Sequence, residues 1–332
     1  MKRKTSLLFF LAVMLIGMVI LSGCGSDQTG SEPAPETEVA DQTEETNDTE
    51  TADTRVITHE MGETEISGTP ERVVVLEFSF VDALASLGIT PVGIADDDDS
   101  ERIIGPIAEQ IGDYTSVGAR KEPSFEIIAS LQPDLIIADL NRHKDSYEQF
   151  SEIAPTIVLS SLSANYQENI DAFPVIAEAL GATEEANQRM AEHEELISEY
   201  KANVPEDEHR TFLPAVVTET GFHAHSSTSY TGSLLETLGF VNAIQGEGVE
   251  DATNKIDLET VVEHNPDILF LMTAGGETIV NEWENNPLWQ EVSAVKNGHV
   301  YEVDRNEWSR FRGLIAAELI VEDTINHLYE QE

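Results

Sequence analysis

Short apolar runs that alternate with segments of helical periodicity are the feature that most limits the fold of this chain. In the first half, β-branched runs lie at 72–77 (RVVVLE), 91–95, 135–138 and 156–159, and a helix is predicted at 79–87. Apolar strands this short, separated by helices, favour a parallel sheet covered on both faces. The sequence therefore predicts an α/β fold.

The second half repeats this organisation. Strands are predicted at 212–217, 267–272 and 300–303, and helices are predicted at 233–238 and 308–329. Between the halves, the charged segment 167–203 has helical periodicity, interrupted at Gly181. The chain is long enough for two lobes, which a helix in this segment would separate.

The first residues indicate a secreted protein. Lys2, Arg3 and Lys4 precede an apolar stretch at 7–21, and small residues follow immediately before Cys24. This order is typical of a signal peptide, and the stretch is short for a transmembrane helix, which needs about 20 residues. It resembles a bacterial lipobox, which predicts a signal peptide at 1–23 and a lipidated Cys24. Because Cys24 is the only cysteine, no disulfide can form within the chain.

Acidic residues dominate the rest of the chain. Residues 24–54 are rich in Asp, Glu, Thr, Pro and Ser, which predicts a disordered tether behind the lipid. The whole sequence has 63 acidic and 18 basic residues, for a net charge of −45. Nucleic acids and anionic membrane surfaces are therefore excluded as partners, since both select basic patches. In such a chain, each arginine is informative.

Catalytic patterns are absent from the sequence. It contains no G-x-S-x-G, no P-loop and no G-x-G-x-x-G motif, and the His193-Glu194-Glu195 run lacks the second histidine of a zinc-protease helix. No nucleophile is accompanied by an evident base. We therefore expect a binding protein and not an enzyme.

A local repeat links the two halves. Glu126 and Glu259 each lie seven positions before a Pro-Asp pair that opens a strand. Ser124 and Asp257, two residues earlier, are good helix N-caps, which puts each glutamate in a first helical turn. Helix capping alone explains this pattern. A matched docking residue on each lobe is the alternative interpretation.

Several segments together resemble the ferric siderophore-binding lipoproteins of ABC importers, from about residue 70 to the C-terminus. They are 70–77 (PERVVVLE), 94–97, 116–120 (SVGAR), 128–139, 141–143 (NRH), 153–156 and 308–313 (WSRFRG). Within that family the similarity is greatest to the branch that binds ferric dicitrate and related citrate-type siderophores.

The resemblance implies a class III periplasmic-binding-protein fold. Two Rossmann-like α/β lobes, at 55–165 and 205–332, would be joined by one long linking helix at 166–204. The protein would be a monomer on the outer face of a cell membrane, in a Gram-positive bacterium. It would capture a ferric siderophore and deliver it to an ABC permease with a separate ATPase. Because the siderophore itself holds the iron, neither a cofactor nor a protein metal site is expected.

Arginines carry the expected chemistry of ligand binding. A planar guanidinium matches carboxylate oxygens in pairs and stays charged, and a cluster in an acidic protein attracts an anion. The alternative is that each arginine pairs with a surface carboxylate. The resemblance implies ligand contacts for four residues, and more weakly for two others: Arg120, Arg142, Arg310 and Arg312, then Arg102 and Arg305.

Three further side chains are candidates for the cleft. His223 and His225 lie on one side of an extended segment, and His225 would hydrogen-bond a ligand carboxylate. A zinc site is a poor interpretation, because no third and fourth ligand accompany the pair. Tyr230 and Trp308 would form part of the cleft wall or pack in the core. By resemblance, Glu126 and Glu259 would contact permease arginines.

Other functions stay open at this point. The same superfamily includes receptors for haem, cobalamin and catecholate siderophores. A surface siderophore hydrolase on an α/β scaffold is the alternative from a different class, and an adhesive lipoprotein is a third.

Overall fold

The apolar runs of the sequence form the central strands of two sheets. The structure is a computed structural model that describes residues 54–329. We call residues 54–165 the N-lobe and residues 205–329 the C-lobe. The predicted α/β architecture with two lobes is confirmed.

The N-lobe is built on a parallel sheet. Its strands are β1 (Thr54–His59), β2 (Gly62–Ser67), β3 (Val73–Val75), β4 (Gly93–Ile94), β5 (Thr115–Ser116), β6 (Gly118–Ala119), β7 (Glu122–Pro123), β8 (Leu135–Asp139) and β9 (Thr156–Leu159). Its helices are α1 (Phe78–Ser86), α2 (Gly105–Ile111), α3 (Phe125–Ser130), α4 (Leu140–His143) and α5 (Tyr147–Ser151), with 3₁₀ turns at Ser100–Arg102 and Lys144–Ser146.

The order of the parallel strands is β5-β4-β3-β8-β9. Every residue of β3, β8 and β9 is buried, because elements cover both faces of the sheet. The hairpins β1-β2 and β6-β7 lie outside it. Since parallel strands end at one edge, the residues that follow β3, β4 and β8 are brought together there.

The segment predicted as one linking helix contains two helices. They are α6 (Tyr166–Leu180) and α7 (Thr183–Asn203). Gly181 takes the left-handed conformation, with φ 71°, and its N–H caps the end of α6. The prediction of a single helix over 166–204 is wrong, because this turn redirects the chain. Helix α6 packs against helices of both lobes, and α7 packs against α6 and the last helix.

The C-lobe has a mixed sheet. Its strands are β10 (Thr211–Thr218), β11 (Gly221–His225), β12 (Val241–Asn242), β13 (Thr253–Ile256), β14 (Ile268–Thr273) and β15 (Val300–Asp304). Its helices are α8 (Tyr230–Thr237), α9 (Leu258–His264), α10 (Ile279–Trp283), α11 (Ser293–Asn297) and α12 (Leu314–Tyr329), with 3₁₀ turns at Val249–Asp251 and Trp289–Glu291 and a π-helical turn at Asn306–Arg310.

In this sheet, β10 pairs in parallel with β14, and β14 pairs in parallel with β15, whereas β10, β11 and β13 are antiparallel neighbours. The C-lobe therefore differs from the all-parallel N-lobe sheet, because a tight turn at 219–220 returns the chain directly beside β10. This hairpin carries both histidines of the predicted cleft.

The lobes share one apolar core and a polar link. The buried cluster is continuous from β3 and α1 through α6 to β14 and α12. The Asp82 carboxylate of α1 accepts the N–H groups of Ile315 (3.1 Å) and Ala316 (2.9 Å) at the start of α12. A Cβ atom on Gly313 would lie 2.3 Å from the Asp82 carboxylate, so only glycine permits this approach.

Helix α12 therefore begins at Leu314 and not at residue 308, as the sequence predicted. The free N–H groups of its first turn are satisfied by a carboxylate from the other lobe, which periodicity along the chain does not reveal. Residues 305–313 are therefore not part of the helix and form a loop, here called the arginine loop. Within residues 54–329, no helix combines the length and apolar content needed to cross a membrane.

Candidate ligand-binding site

The candidate site lies where the carboxyl ends of the N-lobe strands meet the arginine loop. Glu77 lies two residues after the end of β3 and caps α1, accepting the N–H of Phe78 at 3.0 Å. The Phe78 ring stacks on Phe311 of the arginine loop, with 4.8 Å between centroids and 5° between planes. Aromatic stacking of this kind contributes about 0.5–1.5 kcal/mol, so the loop is fixed against the N-lobe.

Arg120 is held by two carboxylates and an aromatic face. Its Nη1 lies 2.6 Å from Glu77 Oε1, and its Nη2 lies 2.8 Å from Asp97 Oδ2. Its Cζ lies 4.0 Å from the centroid of the Phe78 ring. Both carboxylates and the ring favour the cation. They raise the pKa of Arg120, although burial opposes this.

The other two N-lobe arginines predicted for the site are also ion-paired. Arg142 Nε lies 2.7 Å from Glu77 Oε2, so the two oxygens of Glu77 bind one arginine each. Arg102 Nη1 lies 2.5 Å from Asp97 Oδ2, and its Nε lies 3.2 Å from Asp99. Pairing with carboxylates, the alternative left open by the sequence, therefore applies to all three.

The arginine loop presents three cations in a different environment. None of the salt bridges formed by residues 54–329 includes Arg305, Arg310 or Arg312. Arg310 donates to the side-chain oxygen of Asn306 within the π-helical turn. The Nε of Arg305 and the Nη1 of Arg312 are buried and have no hydrogen-bond partner among residues 54–329. Buried donors without acceptors are uncommon in native proteins and call for an explanation.

Electrostatic repulsion couples the cations of the arginine loop to the arginines of the N-lobe. Burial, followed by the positive charges of Arg305, Arg102 and Arg120, lowers the pKa of Arg310 to about 10. Burial and the charges of Arg102 and Arg120 also lower the pKa of Arg305. Burial lowers the pKa of Arg312, the Glu77 carboxylate opposes this, and Arg120 and Arg142 add to the lowering. The six predicted arginines thus form one cationic region.

A cavity of about 450 Å³ adjoins this region, on the C-lobe side. Its wall includes Leu162, His223, His225, Tyr230, Arg305 and Arg312.

His225 is buried in the cavity wall and its Nδ1 has no hydrogen-bond partner among the described residues. Burial, and then the charge of Arg312, lowers the pKa of His225 to about 3, so its imidazole is neutral at physiological pH. A neutral imidazole can donate one hydrogen bond to a bound oxygen. Both histidines point to the same side, as strand alternation predicts.

The two aromatic candidates differ. Tyr230 lines the cavity, but its hydroxyl donates to the Gly313 carbonyl at 2.7 Å. Trp308 is fully buried, packs on Phe270 and donates its indole N–H to Asp323 at 3.0 Å. Of the two placements that the sequence left open, Trp308 therefore takes the one in the core. The π-helical turn directs its ring into the C-lobe core.

No group of three or more His, Cys, Asp or Glu residues within 54–329 is arranged to hold a metal ion. The cavity wall offers the guanidinium groups of Arg305 and Arg312 and the imidazole of His225, with one carboxylate, Glu250, beside them. Its chemistry therefore suits an anion with several oxygen acceptors.

Glu126 and Glu259 are exposed. Ser124 caps α3 and Asp257 caps α9, as predicted, and each glutamate lies in the first turn of its helix. Cys24, the signal peptide and the tether up to residue 53 lie outside the described residues.

Sequence reasoning missed Glu77 and Asp97 as members of the site. Each follows a buried strand at the edge where ligands bind in α/β sheets. The available signal was an acidic residue close behind an apolar run: Glu77 comes directly after Leu76, and Asp97 is the second aspartate after Ala95.

The sequence profile described as periplasmic binding protein matches residues 73–307. The Fe(3+)-citrate-binding protein YfmC of Bacillus subtilis (strain 168) is 44% identical over 328 residues, which cover 99% of each chain. The Fe(3+) dicitrate-binding periplasmic protein FecB of Escherichia coli (strain K12) is 37% identical over 272 residues, covering 82% of this chain and 89% of that relative.

The fold has a close counterpart among solved structures. The crystal structure of Staphylococcus aureus SirA complexed with staphyloferrin B superposes with a TM-score of 0.72 at 24% identity, covering 83% of this chain and 98% of SirA. At that identity the similarity shows a common fold.

Proposed function

This chain belongs to the periplasmic binding protein family, and we propose that it captures a ferric carboxylate complex of the citrate type for an ABC importer. Its family and relatives are binding proteins, so the prediction of a protein without catalysis is confirmed. YfmC and FecB are named for ferric citrate, and the basic cleft of this chain suits such a ligand.

One observation carries the proposal. Arg305 Nε and Arg312 Nη1 are buried donors without acceptors, and His225 Nδ1, beside them in the same cavity wall, is also unpartnered. Leaving such groups unsatisfied costs about 1–3 kcal/mol each, and more for charged groups. An anionic ligand with several carboxylate oxygens would satisfy all three.

The iron itself would be held by the ligand. The protein would contact outer carboxylate oxygens, for which the planar fork of arginine is suited. The ligand would therefore enter as an intact ferric complex, with no cofactor on the protein.

The location follows from the first residues of the sequence. The lipobox-like segment before Cys24 supports lipidation at that residue and a position on the outer face of the cell membrane. The acidic tether, which ends before β1 begins at Thr54, would hold a monomeric receptor clear of the membrane of a Gram-positive cell.

Glu126 and Glu259 would be the contacts to the permease. Both are exposed, and each is set on one lobe in the first turn of a capped helix. Opposite charges on the partner would steer encounter and fix its orientation. Glu263, exposed on the same helix as Glu259, offers a matched control for charge reversal.

A ligand panel tests the proposal directly. Isothermal titration with ferric citrate, a ferric citrate–hydroxamate, a ferric catecholate and a neutral ferric trihydroxamate would rank ligand classes. We expect the complexes with free carboxylates to bind most tightly. Equal or tighter binding of the neutral trihydroxamate would contradict the assignment.

A further inference from the structure

Glu77 is the least accessible charged group of the cleft. Its side chain has no solvent exposure, and its two oxygens lie 2.6 Å from Arg120 and 2.7 Å from Arg142. Burial alone would raise the pKa of Glu77, but the charges of Arg120, Arg312 and Arg142 outweigh this and hold it below its usual value. Glu77 is therefore an anion that is buried among the arginines of the cationic region.

This arrangement divides the arginines into two classes. Arg102, Arg120 and Arg142 of the N-lobe pair with Glu77, Asp97 and Asp99, whereas none of the arginine-loop cations forms an ion pair with any residue of 54–329. By this count, three arginines are balanced by three carboxylates and three are not. The excess positive charge of the cleft lies on the arginine loop.

We propose that Glu77 is a specificity-determining residue that sets how much negative charge the bound ligand carries. It neutralises cations that would otherwise bind ligand carboxylates, and it holds Arg120 and Arg142 in fixed positions. The inference rests on the proposed function, because it concerns the ligand of that same cleft. A cleft with a fixed counter-anion selects a ligand of moderate charge, whereas one without it selects the most anionic ligand.

Two properties of Glu77 separate this role from helix capping. A capping carboxylate needs only a backbone N–H, and Glu77 already binds that of Phe78. Capping does not require two arginines bound on opposite oxygens of a fully buried group. A buried charge also acts on a ligand at short range in a medium of low dielectric constant, where salt screens it weakly.

The test is the ranking of ligands by charge in Glu77→Gln. We expect the affinity ratio between ferric citrate and a less anionic ferric citrate–hydroxamate to rise on the order of tenfold over wild type. Glu77→Asp keeps the charge and should keep the wild-type ranking. Glu65→Gln, an exposed change of equal charge on β2, should leave all affinities unchanged.

The outcomes are distinct. If Glu77→Gln weakens all ligands by the same factor, Glu77 only supports the structure, and the proposal is overturned. If Glu77→Gln fails to fold, Asp97→Asn removes the other shared carboxylate, which is partly accessible, and should change the ranking in the same direction.

Failure of the proposed function gives a different result. Wild type would then bind no ferric complex in the panel. Iron-free citrate and sulfate need only the positive charge of the cleft in order to bind. If Glu77 has the proposed role, both anions would still bind to Glu77→Gln more tightly than to wild type. Equal binding of both anions to the two proteins would overturn the role of Glu77 in that case.

Discussion

Replacing Arg312 by methionine should weaken ligand binding and stabilise the empty protein. Arg312 Nη1 is buried without an acceptor, and burial lowers the pKa of its guanidinium, so the cation is disfavoured in the unliganded fold. A ligand carboxylate would supply the missing acceptor. Hydrogen bonds to charged groups contribute about 1.5–3 kcal/mol, so Arg312→Met should lower affinity roughly tenfold to a hundredfold.

The stability of Arg312→Met should change in the opposite direction. Replacing buried charges with apolar groups of similar volume often stabilises proteins by about 1–4 kcal/mol. The increase in unfolding free energy of Arg312→Met should be near the lower end of this range, because the variant also loses the attraction between Arg312 and Glu77. Glu77 keeps its ion pairs with Arg120 and Arg142 in the variant, so it is not left unpaired.

Titration calorimetry with ferric citrate and chemical denaturation without ligand measure the two effects. Arg189→Met is the matched control, since Arg189 lies 2.7 Å from the Glu318 carboxylate and outside the cleft lining. It should keep affinity and lose roughly 0.5–1 kcal/mol of unfolding free energy. Unchanged affinity together with lower stability in Arg312→Met would refute the reasoning and make Arg312 a structural residue.

Three further predictions concern docking, pH and packing. Glu126→Arg and Glu259→Arg should each reduce iron uptake by cells while the purified protein keeps its ligand affinity; normal uptake in the double variant would exclude docking. Burial raises the pKa of Asp82 from 3.8 to about 6, so the folded protein binds the extra proton between these values. As the pH rises from about 4 to about 6, the free energy of unfolding of wild type should therefore fall by up to roughly 3 kcal/mol relative to that of Asp82→Asn. A flat difference in denaturation free energy would contradict this. Trp308→Phe should lower the free energy of unfolding by about 1–2 kcal/mol, because the hydrogen bond to Asp323 is lost, and should leave ligand affinity unchanged in titration. A large loss of affinity would indicate that the Trp308 ring contacts the ligand.

Local chemistry was sufficient to predict much of the fold. The runs at 135–138 and 156–159 became β8 and β9 almost residue for residue, because a strand buried on both faces must be apolar throughout. Ser124 and Asp257 were identified as caps because the capping bond joins residues three positions apart.

The start of α12 could not be predicted in this way. Its first N–H groups bind Asp82, which is 233 positions away from Ile315 in the sequence. Helical periodicity continues back to Trp308, so the sequence alone extends the helix into the arginine loop. Only the approach of the two lobes ends it at Leu314.

The sequence by itself determined which residues supply the positive charge of the cleft. Arginines are few in this acidic chain, and the six that were selected from the sequence form one cationic region in the structure. Whether each arginine is neutralised was decided by the tertiary structure alone. Glu77 lies 43 positions from Arg120 and 65 from Arg142, yet bonds both, while Arg312 keeps a buried donor without a partner. Electrostatic energy depends on distance in space and on burial, and neither is encoded in spacing along the chain.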